Sequence, residues 1–191
     1  MTRISLAETA HQIVRQHLQA GSVAIDATLG NGHDTVFLAE IVGGQGGVFG
    51  FDVQQQALAS TRNRLLQSGL LQRVKMIHAS HADMLQHIPL PLHGHIQAIM
   101  FNLGYLPGAD KGLITQVDST LTAVDAACRM LAKDGVLTIM AYPGHDGGDE
   151  ESRRLEAWRL KLAQTDFHAE VVFSRHPKAT APRLFVIRKR A

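Results

Sequence analysis

Apolar positions along the chain switch repeatedly between helical spacing and short continuous runs, and these switches predict alternating helices and strands. Leu6, Ile13, Val14 and Leu18 recur at roughly helical intervals. Ser5 followed by Glu8 makes a capping box, so a first helix is expected over Ser5–Gln19. Ser22–Ala27 reads as the first strand, a glycine-containing turn follows, and a helix runs from about His33 to Val42. The second strand is Gly47–Phe51, ending at Asp52, and the next helix is Gln54–Gln67. Val74–His78 is a third strand, and the His- and Pro-rich stretch after it reads as irregular. Ile96–Phe101 is a fourth strand, Asn102–Lys111 a loop and Thr115–Leu131 a helix. Val136–Ala141, a loop over Pro143–Gly148 and a helix over Asp149–Leu162 come next. Ala169–Ser174 and Leu184–Arg188 close the pattern as two strands, expected to form an antiparallel hairpin.

Strands alternating with helices imply an α/β fold, a doubly wound, mostly parallel Rossmann-like sheet of seven strands. In such sheets ligands sit beyond the C-terminal ends of the strands, near the switch point. A length of 191 residues, with 45% hydrophobic and 19% charged, fits one domain over 1–191 with a real core and argues against disorder. No apolar run reaches the roughly 18 residues of a membrane span, so no membrane partner is expected. The first residues lack a signal-peptide core, and a lone cysteine, Cys128, excludes an internal disulfide; both point to the cytoplasm. Cys128 falls within an apolar helical stretch, where packing rather than catalysis is expected.

The turn after the first strand contains Asp26, Thr28, Gly30, Asn31, Gly32, Asp34 and Thr35. Gly30 and Gly32 permit a tight turn and a close approach of backbone to ligand. Asp52 stands about 20 residues on, at the end of the second strand, where a carboxylate can accept both hydroxyls of an adenosine ribose. NAD-binding domains share that much, so a dinucleotide enzyme is the alternative at this point. Thr35 occupies the place of the third fingerprint glycine, and Asp26 and Asp34 bracket the turn. Negative charge opposes a pyrophosphate but suits S-adenosylmethionine, which carries a sulfonium and an ammonium. A plain strand-to-helix turn with Asn31 as cap is the competing reading, and Asp52 tells against it. Gln54, and His81 and Asp83 after the third strand, complete the expected cofactor surroundings. His78, His81, Asp83 and His87 match no standard zinc spacing, so no metal is expected.

The loop after the fourth strand begins Asn102-Leu103-Gly104-Tyr105. Methyltransferases acting on amino groups often carry Asn/Asp-Pro-Pro-aromatic here, and this tetrapeptide looks like a variant with Leu-Gly for Pro-Pro. An attacking amine must be neutral, with its lone pair aimed at the methyl group. The Asn102 side-chain carbonyl and a nearby backbone carbonyl can accept its N–H bonds, and Tyr105 can stack on a planar base. Leu103 and Gly104 also fall against the cofactor. Asp110, His145 or water would take the proton. An exposed glycine-rich loop in which His145 has no role is an equal alternative. The net charge is only +2, but Arg175, Lys178, Arg183, Arg188, Lys189 and Arg190 crowd the C-terminal end with no acidic residue among them. That edge suits a polyanion, or is simply a solvated strand end.

Four segments together resemble one family: DATLGNGHDT (Asp26–Thr35), GFDVQ (Gly50–Gln54), FNLGYLPGADK (Phe101–Lys111) and YPGHDGGDEE (Tyr142–Glu151). It is the bacterial group labelled rRNA methylases and associated with tRNA 5-(aminomethyl)-2-thiouridine methyltransferase, the MnmM/YtqB type. The resemblance implies a class I methyltransferase sheet, S-adenosylmethionine as cofactor, and N-methylation of the aminomethyl group of 5-aminomethyl-2-thiouridine at the tRNA wobble position. The partner would be a tRNA anticodon stem-loop, with Tyr105, Tyr142, Arg175, Lys178 and Arg183 on the RNA. A homodimer is an implication of the resemblance alone. After the sixth strand the chain departs from the family's Asn-rich loop and Ile-Glu-Lys ending, reading Ser174-Arg175-His176-Pro177-Lys178 and Ile187-Arg188-Lys189 instead. Rival readings are a methyltransferase of rRNA or of a small-molecule amine, and a non-catalytic binding module for the cofactor.

Overall fold

The computed structural model describes residues 4–104, 117–144, 147–162, 166–174, 178 and 180–190. Its strands are β1 (Val23–Asp26), β2 (Gly47–Asp52), β3 (Val74–His78), β4 (Ile96–Asn102), β5 (Leu131–Ala141), β6 (Phe167–Phe173) and β7 (Arg183–Lys189). They form one sheet in the order β3-β2-β1-β4-β5-β7-β6. β1 to β5 pair in parallel, and β7 runs antiparallel between β5 and β6. This is the expected doubly wound sheet with its C-terminal antiparallel hairpin. The order reverses between β1 and β4, so a crevice opens at their C-terminal ends.

Helices α1 (Leu6–His17), α2 (His33–Val42), α3 (Gln55–Gln67), the short α4 (Met84–His87), α5 (Val117–Met130) and α6 (Gly148–Leu162) cover both faces. Alternation within each strand divides the core. Ile25, Ile99, Leu137 and Phe185 face one side and pack with Ala127 of α5 and Leu155 of α6. Ala24, Ala98, Met100, Val136 and Val186 face the other and pack with Val14 of α1, Leu38 of α2 and Leu65 of α3. Burial on both faces is why the strands read as unbroken apolar runs.

Several boundaries differ from expectation for identifiable reasons. The capping box forms, with the Ser5 and Glu8 amides each bonded to the other's side chain, but α1 ends at His17 rather than Gln19. β5 begins at Leu131, not Val136. Leu131 pairs with Ile96 and Val136 with Ala98, and the register shift between them is absorbed around Asp134, whose φ is 57°. β6 and β7 run longer than expected because their pairing continues from Phe167↔Lys189 to Phe173↔Arg183. The stretch after β3 folds into short helical turns, His81–Asp83, α4 and Leu90–Leu92. Cys128 is buried, and burial pushes its thiol up to about 12, which makes it a packing group. Among the described residues no helix is long and apolar enough to cross a membrane.

Candidate functional site

The turn between β1 and α2 carries the densest set of polar interactions at the switch point. Gly30 (φ 49°) and Gly32 (φ 77°) both adopt left-handed backbone. A Cβ on Gly32 would also lie 2.9 Å from the Thr61 hydroxyl, so only glycine fits there. α3 holds the turn from outside: Thr61 Oγ1 donates to the Gly30 carbonyl at 3.2 Å and Arg64 Nε to the Asn31 carbonyl at 2.7 Å. The cap of α2 is Gly32, not Asn31, and no side chain caps it. Its first backbone N–H groups are therefore the donors this turn offers to a ligand carboxylate.

Three carboxylates surround these donors. Asp52, half-buried at the end of β2, accepts the Gly30 amide at 3.0 Å and the Gln54 amide at 2.9 Å. These bonds orient the carboxylate and leave its remaining lone pairs for hydroxyl donors. Asp26 is 1% exposed and accepts from the Thr28 amide at 3.1 Å and from Thr35 Oγ1 at 2.5 Å. Burial, and then the neighbouring Asp34 charge, pushes its carboxyl up to about 7 against the opposing pull of those two bonds. Asp26 thus shapes the turn from beneath. Asp34, in the first turn of α2, pairs with His11 of α1 at 2.6 Å.

The C-terminal end of β4 is tied directly to this turn. Thr28 Oγ1 accepts the Asn102 amide at 2.8 Å, so the last residue of β4 is fixed to the loop after β1. The Asn102 side chain lies exposed at the strand end and shares a hydrogen bond with Tyr142, just beyond β5. Burial and the Asp34 charge raise the Tyr142 phenol, and the Asn102 bond opposes them. Leu103 is buried, its amide bonded to the Met140 carbonyl at 2.9 Å, and Gly104 follows with φ 124°. Tyr105, Asp110, His145 and Arg175 lie outside the described residues.

The histidines after β3 take separate roles. His78 Nε2 bonds the Val53 carbonyl at 2.9 Å, and His87 sits edge-on to Phe51. His81 is buried beside Phe101 with Nδ1 3.2 Å from the Ala27 carbonyl. A carbonyl only accepts, so Nδ1 carries the proton and Nε2 is a bare acceptor, without a hydrogen-bond partner among the described residues. Burial holds His81 below the usual histidine range. Asp83 follows on the same short turn.

The basic C-terminal run does not act as one patch. Arg183 opens β7 opposite Ala141, at the C-terminal end of β5, and lines a shallow cleft with Asp149, Glu150, Arg153 and Glu156. A Cβ on Gly144 would lie 3.1 Å from Thr180, which sets the β6–β7 connection, where Lys178 is exposed, beside the loop after β5. Arg188 and Lys189 lie at the opposite end of β7. Arg188 pairs with Glu170 at 2.5 Å and Lys189 Nζ donates to the Leu131 carbonyl at 2.8 Å. Antiparallel pairing carries β7 away from the crevice, and there Arg188 ties β7 to β6 while Lys189 ties it to β5. The contact with this turn that the sequence pattern does not reveal is that of His11. His11 lies on α1 between apolar positions, and its partner is 23 residues away.

The family described as "Putative rRNA methylase" matches residues 48–188. The chain is 38% identical over 168 residues to the chloroplastic tRNA (mnm5s2U34)-methyltransferase of Arabidopsis thaliana. That alignment covers 84% of this chain, which spans 61% of the relative's length. A crystal structure from Clostridium thermocellum, described like the family as an rRNA methylase, superposes with a TM-score of 0.91 at 34% identity, covering 99% of both chains. A Streptococcus mutans methyltransferase in complex with SAH superposes at 0.85 and 37% identity, again over 99% of both.

Proposed function

The chain belongs to the rRNA methylase family, and from that premise we propose that it is an S-adenosylmethionine-dependent methyltransferase acting on RNA. Its acceptor is the aminomethyl nitrogen of 5-aminomethyl-2-thiouridine at the tRNA wobble position, the reading that agrees with the Arabidopsis relative's name. One observation carries the reading: Asn102, the residue suited to orient an amine, is anchored by its backbone to the cofactor turn through Thr28 and by its side chain to Tyr142.

The residues fit the cofactor on their own chemistry. Asp52 suits a ribose diol, and the uncapped start of α2 suits a carboxylate. Asp26, whose ionisation is opposed by burial and by Asp34, marks an excess of negative potential that a cationic ligand relieves and a pyrophosphate worsens. His81 Nε2 supplies an unpartnered acceptor of the kind that takes an adenine amino hydrogen. When bound, S-adenosylmethionine supplies an electrophilic methyl group on a sulfonium.

The protein's part is then positional. The Asn102 side-chain carbonyl accepts an N–H of the neutral acceptor amine, and the Tyr142 bond limits the rotation of that side chain. Tyr105 stacks on the uracil ring. Holding a nucleophile in line in this way supplies a large part of the acceleration available to a displacement. The proton leaves to Asp110, His145 or water. Lys178 and Arg183 hold phosphates beside the mouth, where a splayed loop base enters, and Arg175 contributes a further charge to the same RNA.

The test is methyl transfer from labelled S-adenosylmethionine to four acceptors: tRNA bearing aminomethyl-thiouridine, unmodified tRNA, small-subunit rRNA and a free amine. Labelling of the first alone is expected. Transfer to rRNA or to the free amine in its place would reassign the acceptor. Cofactor binding without transfer to any of the four would favour a binding module.

A further inference from the structure

α1 lies wholly outside the residues that match the family, yet it reaches into the cofactor turn. The helix is firmly seated. The capping box closes its start, Ala10 and Val14 are buried, and His17 Nδ1 bonds the Asp134 carbonyl at 2.7 Å at its end. Between these anchors, His11 stacks on Phe37 of α2 with ring centroids 3.8 Å apart and planes 2° from parallel. Arg15, one turn on, places its guanidinium 5.2 Å from the same Phe37 ring. The stack fixes the imidazole plane, and Nε2 meets Asp34 Oδ1 at 2.6 Å. Oδ2 is the carboxylate oxygen that His11 does not engage. The Asp34 charge raises the pKa of both Asp26 and Tyr142.

We infer that His11 is a positioning residue of the cofactor site: it locks the Asp34 carboxylate through Oδ1 so that Oδ2 receives the ammonium of the cofactor's methionine end. The inference rests on the cofactor reading above and goes beyond it in assigning a role to the N-terminal helix. An unlocked Asp34, on the rim of the turn and partly solvated, would sample several rotamers, and binding would then bear the entropy of ordering it. A locked one is ready before the ligand arrives. The stack and the hydrogen bond have separable consequences. Phe37 holds the ring, and only the ring nitrogen holds Asp34.

Two substitutions separate them. His11→Phe keeps the stack and removes the donor, whereas His11→Gln removes the ring and keeps an N–H that can reach Asp34. Calorimetry with S-adenosylmethionine, S-adenosylhomocysteine and 5′-methylthioadenosine reads the result. The first two ligands carry the ammonium and the third lacks the amino-acid end. His11→Phe is expected to weaken the first two by about tenfold, as loss of one charge-assisted hydrogen bond does. It should leave 5′-methylthioadenosine within about twofold of wild type, and His11→Gln should recover most of the loss. Unchanged S-adenosylmethionine affinity in folded His11→Phe would overturn the inference. An equal loss for all three ligands would overturn it too, because the turn as a whole would then have shifted. Failure of the wild-type protein to bind S-adenosylmethionine at all would instead remove the cofactor reading on which the inference rests.

Discussion

Replacing Asp26 with Asn tests the electrostatics of the cofactor turn, because it removes a buried charge with almost no change of shape. The Thr28 amide can still donate to the Asn carbonyl oxygen, and the Thr35 hydroxyl can accept from the Asn amide, so both hydrogen bonds survive with one reversed. What disappears is the cost of ionising a carboxyl that is 1% exposed. Its pKa rises from 3.8 to about 7 on folding, caused first by burial and second by Asp34. At about 1.4 kcal/mol per unit, that shift corresponds to a folding penalty on the order of 4 kcal/mol as an upper bound. The sign follows from proton uptake. A carboxyl raised in the folded state adds no penalty below about pH 4, where both states are protonated, and the native state loses stability as pH climbs to about 7. Thermal unfolding of the unliganded Asp26→Asn protein should therefore show a Tm above wild type at about pH 8, with the gap shrinking toward about pH 5. For a chain of 191 residues each kcal/mol moves Tm by about 2–4 °C, so the gap at the higher pH is several degrees. Calorimetry supplies the other half. A cationic ligand favours the ionised carboxylate, so wild-type affinity for S-adenosylmethionine should tighten from about pH 5 to about pH 7, below the range in which the ligand's ammonium titrates, and the mutant's should stay flatter. A mutant no more stable than wild type at the higher pH, or a gap independent of pH, would mean that the buried Asp26 carboxylate carries no folding cost.

The other substitutions test the remaining parts of the site. Asp52→Ala should weaken S-adenosylmethionine binding by an order of magnitude or more in calorimetry, because a hydrogen bond to a charged group is worth about 1.5–3 kcal/mol. A preference of the protein for a nicotinamide dinucleotide would contradict the cofactor assignment. Asn102→Ala should lower turnover much more than it lowers tRNA affinity, as expected of an interaction made fully only in the transition state; a normal rate would mean that the acceptor edge has been misplaced. Replacing Lys178 and Arg183 with Ala should reduce the slope of log tRNA affinity against log salt by roughly 0.7 for each phosphate left unneutralised on a single-stranded segment. The double substitution Arg188→Ala and Lys189→Ala should leave that slope unchanged and lower Tm instead, since these two side chains bond within the sheet.

The fold is legible because its strands are short, apolar and regularly separated, and because Ser5 and Glu8 announce the first helix. The boundary at β5 is not. Leu131 and Ala132 continue the apolar pattern of α5, and only pairing with Ile96 across the sheet draws them into a strand. At the site, Asp52 and the two glycines can be read from local spacing. His11 cannot, because its function depends on a partner 23 residues away and on a stack with Phe37 that periodicity does not encode. Asp26 is legible as an acid at the end of β1, but its burial beneath the turn is not. The basic run at the C-terminal end misleads in a simple way. A strand carries residues close in sequence to opposite ends in space, so Arg183 meets the crevice while Arg188 and Lys189 lie at the far end of the sheet.

Methylation of the RNA amine is read out by mass spectrometry of nucleosides from total tRNA. Cells lacking the gene should accumulate 5-aminomethyl-2-thiouridine and lack 5-methylaminomethyl-2-thiouridine. The wild-type gene should restore the methylated nucleoside, and the Asn102→Ala variant should restore little of it. An unchanged tRNA nucleoside profile in the absence of the gene, accompanied by a missing methyl group on rRNA, would place the acceptor on rRNA and not on the tRNA amine.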